Sequence, residues 1–483
     1  MAMNYPYDDF LDLFFSNNKA ATASTSSCVE QNDGSLDMDW DVDFRDLIES
    51  MMSDEGAPTE SPPTIPCDHG QEGICNSAST GFSVADGVDD AEEPNPDESK
   101  GLRLVHLLVA AAEASTGLDK TRELTRVILA RLKELVSPSD RTNMERLADH
   151  FTDGLSKLLE RANVQRHSSP HQHRDVHHQV DVLSAIQMLQ NMSPYVNFGY
   201  FTASQAILEA VKYERRIHIL DYDITEGVQW ASLMQALVCK NTGPLTQHLR
   251  ITALSRATNG KKSIAAVQEA GRRLTAFAES IGQPFSYHHC KLDTDAFSAS
   301  SLKLVRGEAV IINCMLHLPR FSHQTPNSLI SFLTEAKTLN PKLVTLVHEE
   351  VCLMGNQSYL YRFMDLLHQF SAIFDSLEAG PTRAFVERVF IGPWVSSWLT
   401  RIAITADDVE FECFASWKGW LETNGFKPVD VSFANRCQAK LLLSLFNDGY
   451  RVEELGQNGL VLGWKSRRLV SASFWASRDS SNQ

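Results

Sequence analysis

Four continuous apolar runs constrain this chain more than any other feature. They are IHIL (217–220), LRITAL (249–254), AVIINCML (309–316) and LVTLV (343–347). Each is predominantly apolar, broken only by His218, by Arg250 with Thr252, by Asn313 and by Thr345. That is the pattern of strands covered on both faces, as in a parallel sheet. Segments of helical period separate them, including EGVQWASLMQALVCK (226–240) and IAAVQEAGRRLTAFAESIG (264–282). Strand, helix and strand in succession build right-handed parallel crossovers. Residues 357–425 read as more helical, and the end reads as strand, helix and an antiparallel pair across GQNG (456–459). The expected fold class is therefore α/β and Rossmann-like. It has a mostly parallel sheet of the methyltransferase type, a terminal antiparallel hairpin and an α-helical cap.

The cap is expected from residues 101–161. In LRLVHLLVAAAEA, residues Leu104, Leu107, Leu108 and Ala111 recur at helical spacing. Leu124, Ile128, Leu132 and Leu135 predict a second helix. Thr142 and Glu145 form a capping box that opens a third, with Leu147, Phe151, Leu155 and Leu158 on its face. LVHLL (104–108) and LSKLL (155–159) also fit the L-x-x-L-L form of docking helices, although leucines at this spacing usually face a core. The stretch 166–179 holds five histidines but no cysteine or carboxylate cluster to complete a metal site, so it reads as a linker.

Charge separates the chain into two parts. Of its net charge of −17, residues 1–100 carry −20, from 23 Asp/Glu against Lys19, Arg45 and Lys100. The rest carries +3, and neither part has the basic face of a self-sufficient DNA binder. Residues 1–100 read as a disordered acidic leader, because such a composition buries too little apolar area to offset ordering entropy. Within it, DDFLDLFF (8–15) and DMDWDVDFRDLIESMM (37–52) interleave acids with aromatics and leucines, as activation segments do. No apolar run reaches the roughly 18 residues of a membrane span, and the nine scattered cysteines make no C-x-x-C pair.

The first βα turn raises the question of a cofactor. A nucleotide or S-adenosylmethionine site needs glycines where backbone approaches ligand. After Asp221 come Tyr222, Asp223, Ile224, Thr225, Glu226 and then Gly227, so side chains occupy positions that should be bare. The second strand ends at Ser255 where a ribose-binding acid belongs, and Asn313 is followed by Cys-Met-Leu rather than Pro-Pro. No G-x-S-x-G, Walker loop or H-E-x-x-H is present. The expectation is a chain without catalytic, cofactor or metal residues.

These blocks resemble a known family. GLRLVHLLVAAAEA (101–114), IHILDYDITEGVQW (217–230), PKLVTLVHEE (341–350) with RFMDLLHQFSAIFDSLEA (362–379) and RAFVERVF (383–390), and GWKSRRLVSASFW (463–475) resemble the GRAS regulators of plants. In order, they match the first leucine-rich, VHIID, PFYRE and SAW blocks. The wording is most similar to the nodulation-signalling-pathway 2 subgroup. VHIID stands here as Ile217, His218, Ile219, Leu220 and Asp221. The SAW block stands as Ser473, Phe474 and Trp475, with Trp464 upstream.

The resemblance implies a nuclear, non-enzymatic transcriptional co-regulator. It would pair with another GRAS protein of the nodulation-signalling-pathway 1 type, meet promoter DNA through that partner, and touch the transcription machinery through its leader. Symbiotic nodulation and strigolactone signalling are the implied settings. The expected divisions are the leader 1–100, a leucine-rich cap 101–195, an α/β core 196–477 and a tail 478–483. Leu104, Leu107, Leu108, Leu155, Leu158 and Leu159 are the expected partner contacts. The alternative is a direct DNA-binding factor in which Lys261, Lys262, Arg272, Arg273, Arg467 and Arg468 gather on one face.

Overall fold

A computed structural model describes residues 96–477, apart from 116–118, 140, 165–176, 223, 225–226, 241–246, 257–259, 293–298, 300–301, 303, 319–325, 352–357 and 405–413. The acidic leader up to residue 95 and the tail 478–483 lie outside the described residues, as does the linker up to 176, while residues 96–100 of the expected leader are already helical. Among the described residues, five helices precede the sheet: α1 Pro96–Ser115, α2 Asp119–Leu135, α3 Asn143–Val164, α4 His177–Met192 and α5 Tyr195–Ala210. The expected linker 166–179 is thus shorter at its C-terminal end, since α4 already starts at His177.

The predicted parallel unit follows. It runs β1 Arg216–Tyr222, α6 Val228–Lys240, β2 His248–Arg256, α7 Gly260–Ile281, β3 Phe285–Leu292, β4 Ala309–Met315, α8 Pro326–Ala336 and β5 Leu343–Glu349. Three helices come next: α9 Tyr359–Ser376, α10 Arg383–Val386 and, after a π-helical turn over Glu387–Ile391, α11 Gly392–Ile404. The chain closes with α12 Phe414–Thr423, β6 Phe426–Pro428, α13 Phe433–Leu443, β7 Tyr450–Leu455, β8 Gly459–Trp464 and β9 Arg467–Ser477.

The sheet order is β3-β2-β1-β4-β5-β9-β8-β7, and β1 to β5 are mutually parallel. The chain direction reverses its stepping between β1 and β4. That switch point opens a crevice at the carboxyl ends of the strands, where ligands bind in open α/β sheets. The expected β7–β8 hairpin forms across Gly456, Gln457 and Asn458. A further strand, β9, inserts antiparallel between β5 and β8, and β6 pairs with its last three residues. The final segment therefore completes the sheet from inside rather than extending its edge.

Helices assemble around α3. Its capping box forms as the sequence predicts: Glu145 N–H donates to Thr142 Oγ1 at 3.3 Å, and Thr142 N–H returns a bond to Glu145 Oε2 at 3.0 Å. Leu147, Phe151 and Leu155 are buried. At Gly154 a Cβ would stand 2.6 Å from Leu399 Cδ1, so glycine permits α3 and α11 to touch. The aromatic rings of Phe151, Phe363 and Phe370 meet edge-on between α3 and α9. The helical layer thus draws on 96–164 and again on 359–404. On α2 the buried face is Thr125, Leu129 and Leu132, one step round from the expected stripe. Leu124 is left 53% exposed and Val127 66%. Packing against α1 and α3 selects that face over the one the leucine spacing suggests.

Trp475 shows what the closing strand contributes. It is fully buried in a cluster with Tyr222, Phe332, Val344, Leu346, Trp417 and Phe426, and its indole N–H donates to Ser473 Oγ at 3.0 Å. Trp464 is also buried; it donates to Asp375 Oδ2 at 2.6 Å and meets the Tyr450 ring edge-on. Truncating a buried tryptophan costs about 3–5 kcal/mol through lost transfer energy and a residual cavity. Trp475→Ala in the full chain is expected to lower the melting temperature by several degrees, read by thermal denaturation. A wild-type melt with lost activity would make Trp475 a contact residue instead.

Candidate functional site

The VHIID residues lie on β1 at the switch point. Ile217, Ile219 and Leu220 are buried core. Asp221, 3% exposed, ends the strand. Its register partner on β4 is Asn313, whose own partner on β5 is Thr345. Both carboxylate oxygens are engaged: Trp230 Nε1 donates to Oδ2 at 2.7 Å and Asn313 Nδ2 to Oδ1 at 3.0 Å. Asn313 Oδ1 in turn accepts from Thr345 Oγ1 at 2.8 Å. A polar chain thus runs from α6 across three strands where an enzyme of this fold would hold its ligand. Gly227 opens α6 at φ +75°, a conformation side chains rarely adopt, with Leu274 and Ile224 packed over its Cα. The single glycine of the loop serves the turn and the packing. Asp223 and Glu226 lie outside the described residues.

His218 belongs to a second buried polar group. Its Nε2 lies 2.8 Å from Thr252 Oγ1 and its Nδ1 3.3 Å from Glu308 Oε2. Arg250 Nη1 pairs with Glu308 Oε1 at 3.1 Å. Burial, with the Arg250 guanidinium nearby, pushes the imidazole down to about 4 against the pull of Glu308. The histidine is therefore neutral at physiological pH.

At the end of β5, Glu349 Oε2 accepts from Trp398 Nε1 at 2.8 Å and Trp394 Nε1 at 3.3 Å, and Arg401 stacks over the Trp398 ring at 4.2 Å. These contacts seat α11 on the sheet. Next to them, Ser471 Oγ donates to Glu350 Oε1 at 2.6 Å and lies 3.0 Å from His348 Nε2. Those are the residue types of a hydrolase triad, here with Ser471 fully buried and His348 4% exposed.

The expected partner leucines divide. Leu104, Leu108, Leu155 and Leu159 are buried inside the chain, and Leu107 and Leu158 are half-buried. The apolar side chains that α2 leaves in solvent are Leu124 and Val127. In the SAW block, Ser473, Phe474, Trp475 and Trp464 are all buried. Three of the basic residues of the DNA-binding alternative are engaged by acids of the chain itself. Arg272 pairs on α7 with Glu269 at 2.5 Å, Arg467 binds Asp365 and Gln369, and Arg468 pairs with Glu453 at 2.9 Å. The side chains of Lys261 and Lys262 lie outside the described residues. Trp230, Asn313 and Thr345 were not singled out as partners of Asp221 by sequence reasoning. A polar Asn inside AVIINCM was the available signal, since buried polar groups need partners.

A model of the GRAS domain family matches residues 104–476. Scarecrow-like protein 26 of Arabidopsis thaliana is 78% identical over 98% of this chain and 99% of its own length. Protein NODULATION SIGNALING PATHWAY 2 of Lotus japonicus is 60% identical, covering 78% of this chain and 76% of its own. The crystal structure of SCL7 from Oryza sativa superposes with a TM-score of 0.60 at 28% identity, over 77% of this chain and 99% of that one. The chain belongs to the GRAS domain family of regulators. Its mixed α/β fold is the one seen in that rice protein.

Two outcomes test the polar groups. Asp221→Ala leaves two buried donors without an acceptor, and is expected to cost about 2–4 kcal/mol, read as a lowered denaturation midpoint. For His218 the folded value lies below the ordinary 6.5. Its stabilising contribution is complete above about 6.5 and is lost as pH falls toward 4, by about 3 kcal/mol in all. The melting temperature should decline across that window, and His218→Gln should flatten the slope there.

Proposed function

We propose that the protein is a non-enzymatic transcriptional co-regulator of the nucleus, acting at promoters as one half of a GRAS–GRAS heteromer. The observation that carries this reading is its 60% identity to a relative named for nodulation signalling. The partner is a GRAS protein of the nodulation-signalling-pathway 1 type, and the settings are symbiotic nodulation and strigolactone signalling. Promoter DNA is met through the partner, and the acidic leader 1–100 contacts the transcription machinery as an activating segment. A scaffold role for β1 fits the engagement of both Asp221 oxygens by the chain itself.

The partner surface is on the cap, within the proposed division 101–195. Its centre is Leu124 and Val127 on α2, the apolar side chains that face solvent there. Leu107 and Leu158 can contribute only their exposed edges, and Leu104, Leu108, Leu155 and Leu159 hold the cap together beneath.

Co-purification with the partner at low and high salt checks this division of labour. The double substitution Leu124→Glu with Val127→Glu is expected to abolish partner binding, with the melting temperature unchanged. Each truncated contact leucine at such an interface is worth on the order of 1–3 kcal/mol. Leu155→Glu should instead unfold the cap. Deleting 1–95 should leave binding intact and remove transcriptional activation in a reporter assay. Loss of the partner on leader deletion, or retention by the double variant, overturns the proposal.

A further inference from the structure

Ser-Pro occurs twice among the described residues. Ser193-Pro194 precedes α5, where Ser193 is 2% exposed and its hydroxyl lies 2.8 Å from Tyr450 Oη. Ser137-Pro138 lies in the turn between α2 and α3, with Ser137 half-buried and Pro138 and Ser139 exposed. The two dipeptides therefore differ in access: an enzyme can reach the turn at 137 without opening the core.

What surrounds Ser137 is unusual for a surface turn. Its hydroxyl donates to Glu145 Oε1 at 2.7 Å and its backbone N–H donates to the same oxygen at 3.0 Å. Lys100 Nζ, on α1, lies between the two, at 3.0 Å from Ser137 Oγ and 2.5 Å from Glu145 Oε1. The other carboxylate oxygen accepts from Thr142 N–H and Oγ1. Arg141 Nε donates to the Ser137 carbonyl at 2.7 Å. One carboxylate, 3% exposed, thus joins α1, the turn and the first residues of α3. Burial raises its pKa, but donation by Lys100, Ser137 and Thr142 outweighs that and holds it at about 2, so it is fully ionised.

We propose that Ser137 is a phosphorylation site for an ATP-dependent, proline-directed protein kinase, and that the phosphate releases α1 from the start of α3. In the transfer, Ser137 Oγ attacks the γ-phosphorus of ATP. The bond from that phosphorus to the β-phosphate oxygen breaks to give ADP, and the hydroxyl proton passes to the kinase. Two changes follow in the protein. The donor that Ser137 offered to Glu145 is gone, and nearly two negative charges stand beside an ionised carboxylate. Lys100, now shared between them, is drawn to the phosphate, the stronger acceptor. Glu145 keeps Thr142 and loses its tie to α1, so the capping box survives while the contact between α1 and α3 loosens.

The test uses the full chain, a mitogen-activated protein kinase and ATP, with phosphate located by mass spectrometry and local opening read by hydrogen exchange. Phosphate is expected on Ser137 in the wild type and not in Ser137→Ala. Exchange within 96–108 should then accelerate about tenfold, the ratio that corresponds to 1.4 kcal/mol of local opening. Unphosphorylated Ser137→Ala should exchange nearly as wild type, which separates added charge from a lost hydrogen bond. Glu145→Gln keeps a capping box without the charge, so phosphorylating that variant should produce no further acceleration. Phosphate confined to the other Ser-Pro or Thr-Pro positions (Ser61, Ser169, Ser193, Thr325) overturns the assignment. Unchanged exchange on phosphorylation, or equal acceleration in Glu145→Gln, overturns the release.

Discussion

A carboxylate buried at the end of a central strand must find donors, because an unpaired charge in the interior costs more than the fold can spare. Asp221 finds them in Trp230 and Asn313, and Asn313 is held in turn by Thr345. That chain fixes β1, β4 and β5 in register at the end where the sheet's stepping reverses. It also seats the first turn of α6, since the indole donor comes from that helix. Both carboxylate oxygens at the switch point are thereby taken up by the protein's own side chains.

The cap depends on the frame through a second set of polar contacts. Glu349 at the end of β5 takes both indoles of α11. Asp375 on α9 receives Trp464 from β8, Lys465 beyond it and Asn143 from α3. Arg146 of α3 pairs with Glu387 in the π-helical turn, a buried ion pair that breaks only at high cost. Burial keeps the Glu387 carboxyl above its ordinary range even with Arg146 and Arg383 beside it. The helical layer and the sheet are joined by charges that find their partners only when both are in place. The proposed partner surface on α2 and the proposed phosphorylation turn at Ser137 both lie in that layer.

Much of the fold was legible in the sequence, and particular residues show why. The strands stand where continuous apolar runs stand, because a doubly covered strand has no polar face to mark. Thr142 and Glu145 formed their capping box because its geometry involves only four consecutive residues. The site was less legible. The spacing of Leu104, Leu108, Leu155 and Leu159 fits a docking motif, although leucines at such spacing usually face a core, and all four are buried. On α2 the spacing points to Leu124, Ile128, Leu132 and Leu135, whereas packing against α1 and α3 buries Thr125, Leu129 and Leu132.

The sequence by itself determined what is local: the strand runs, the helix periods, the capping box, the β7–β8 turn and a first βα loop without bare positions for a ligand. These follow from dihedral preference and from periodic burial over a few residues. Only the tertiary structure decided that β9 enters the sheet beside β5, that residues 359–404 join 96–164 in one helical layer, and that Asp221 answers to Asn313, 92 residues away. Each of those is a pairing between segments distant in the chain. Such pairings are chosen by what the whole core can bury and satisfy at once, and no local pattern encodes that choice.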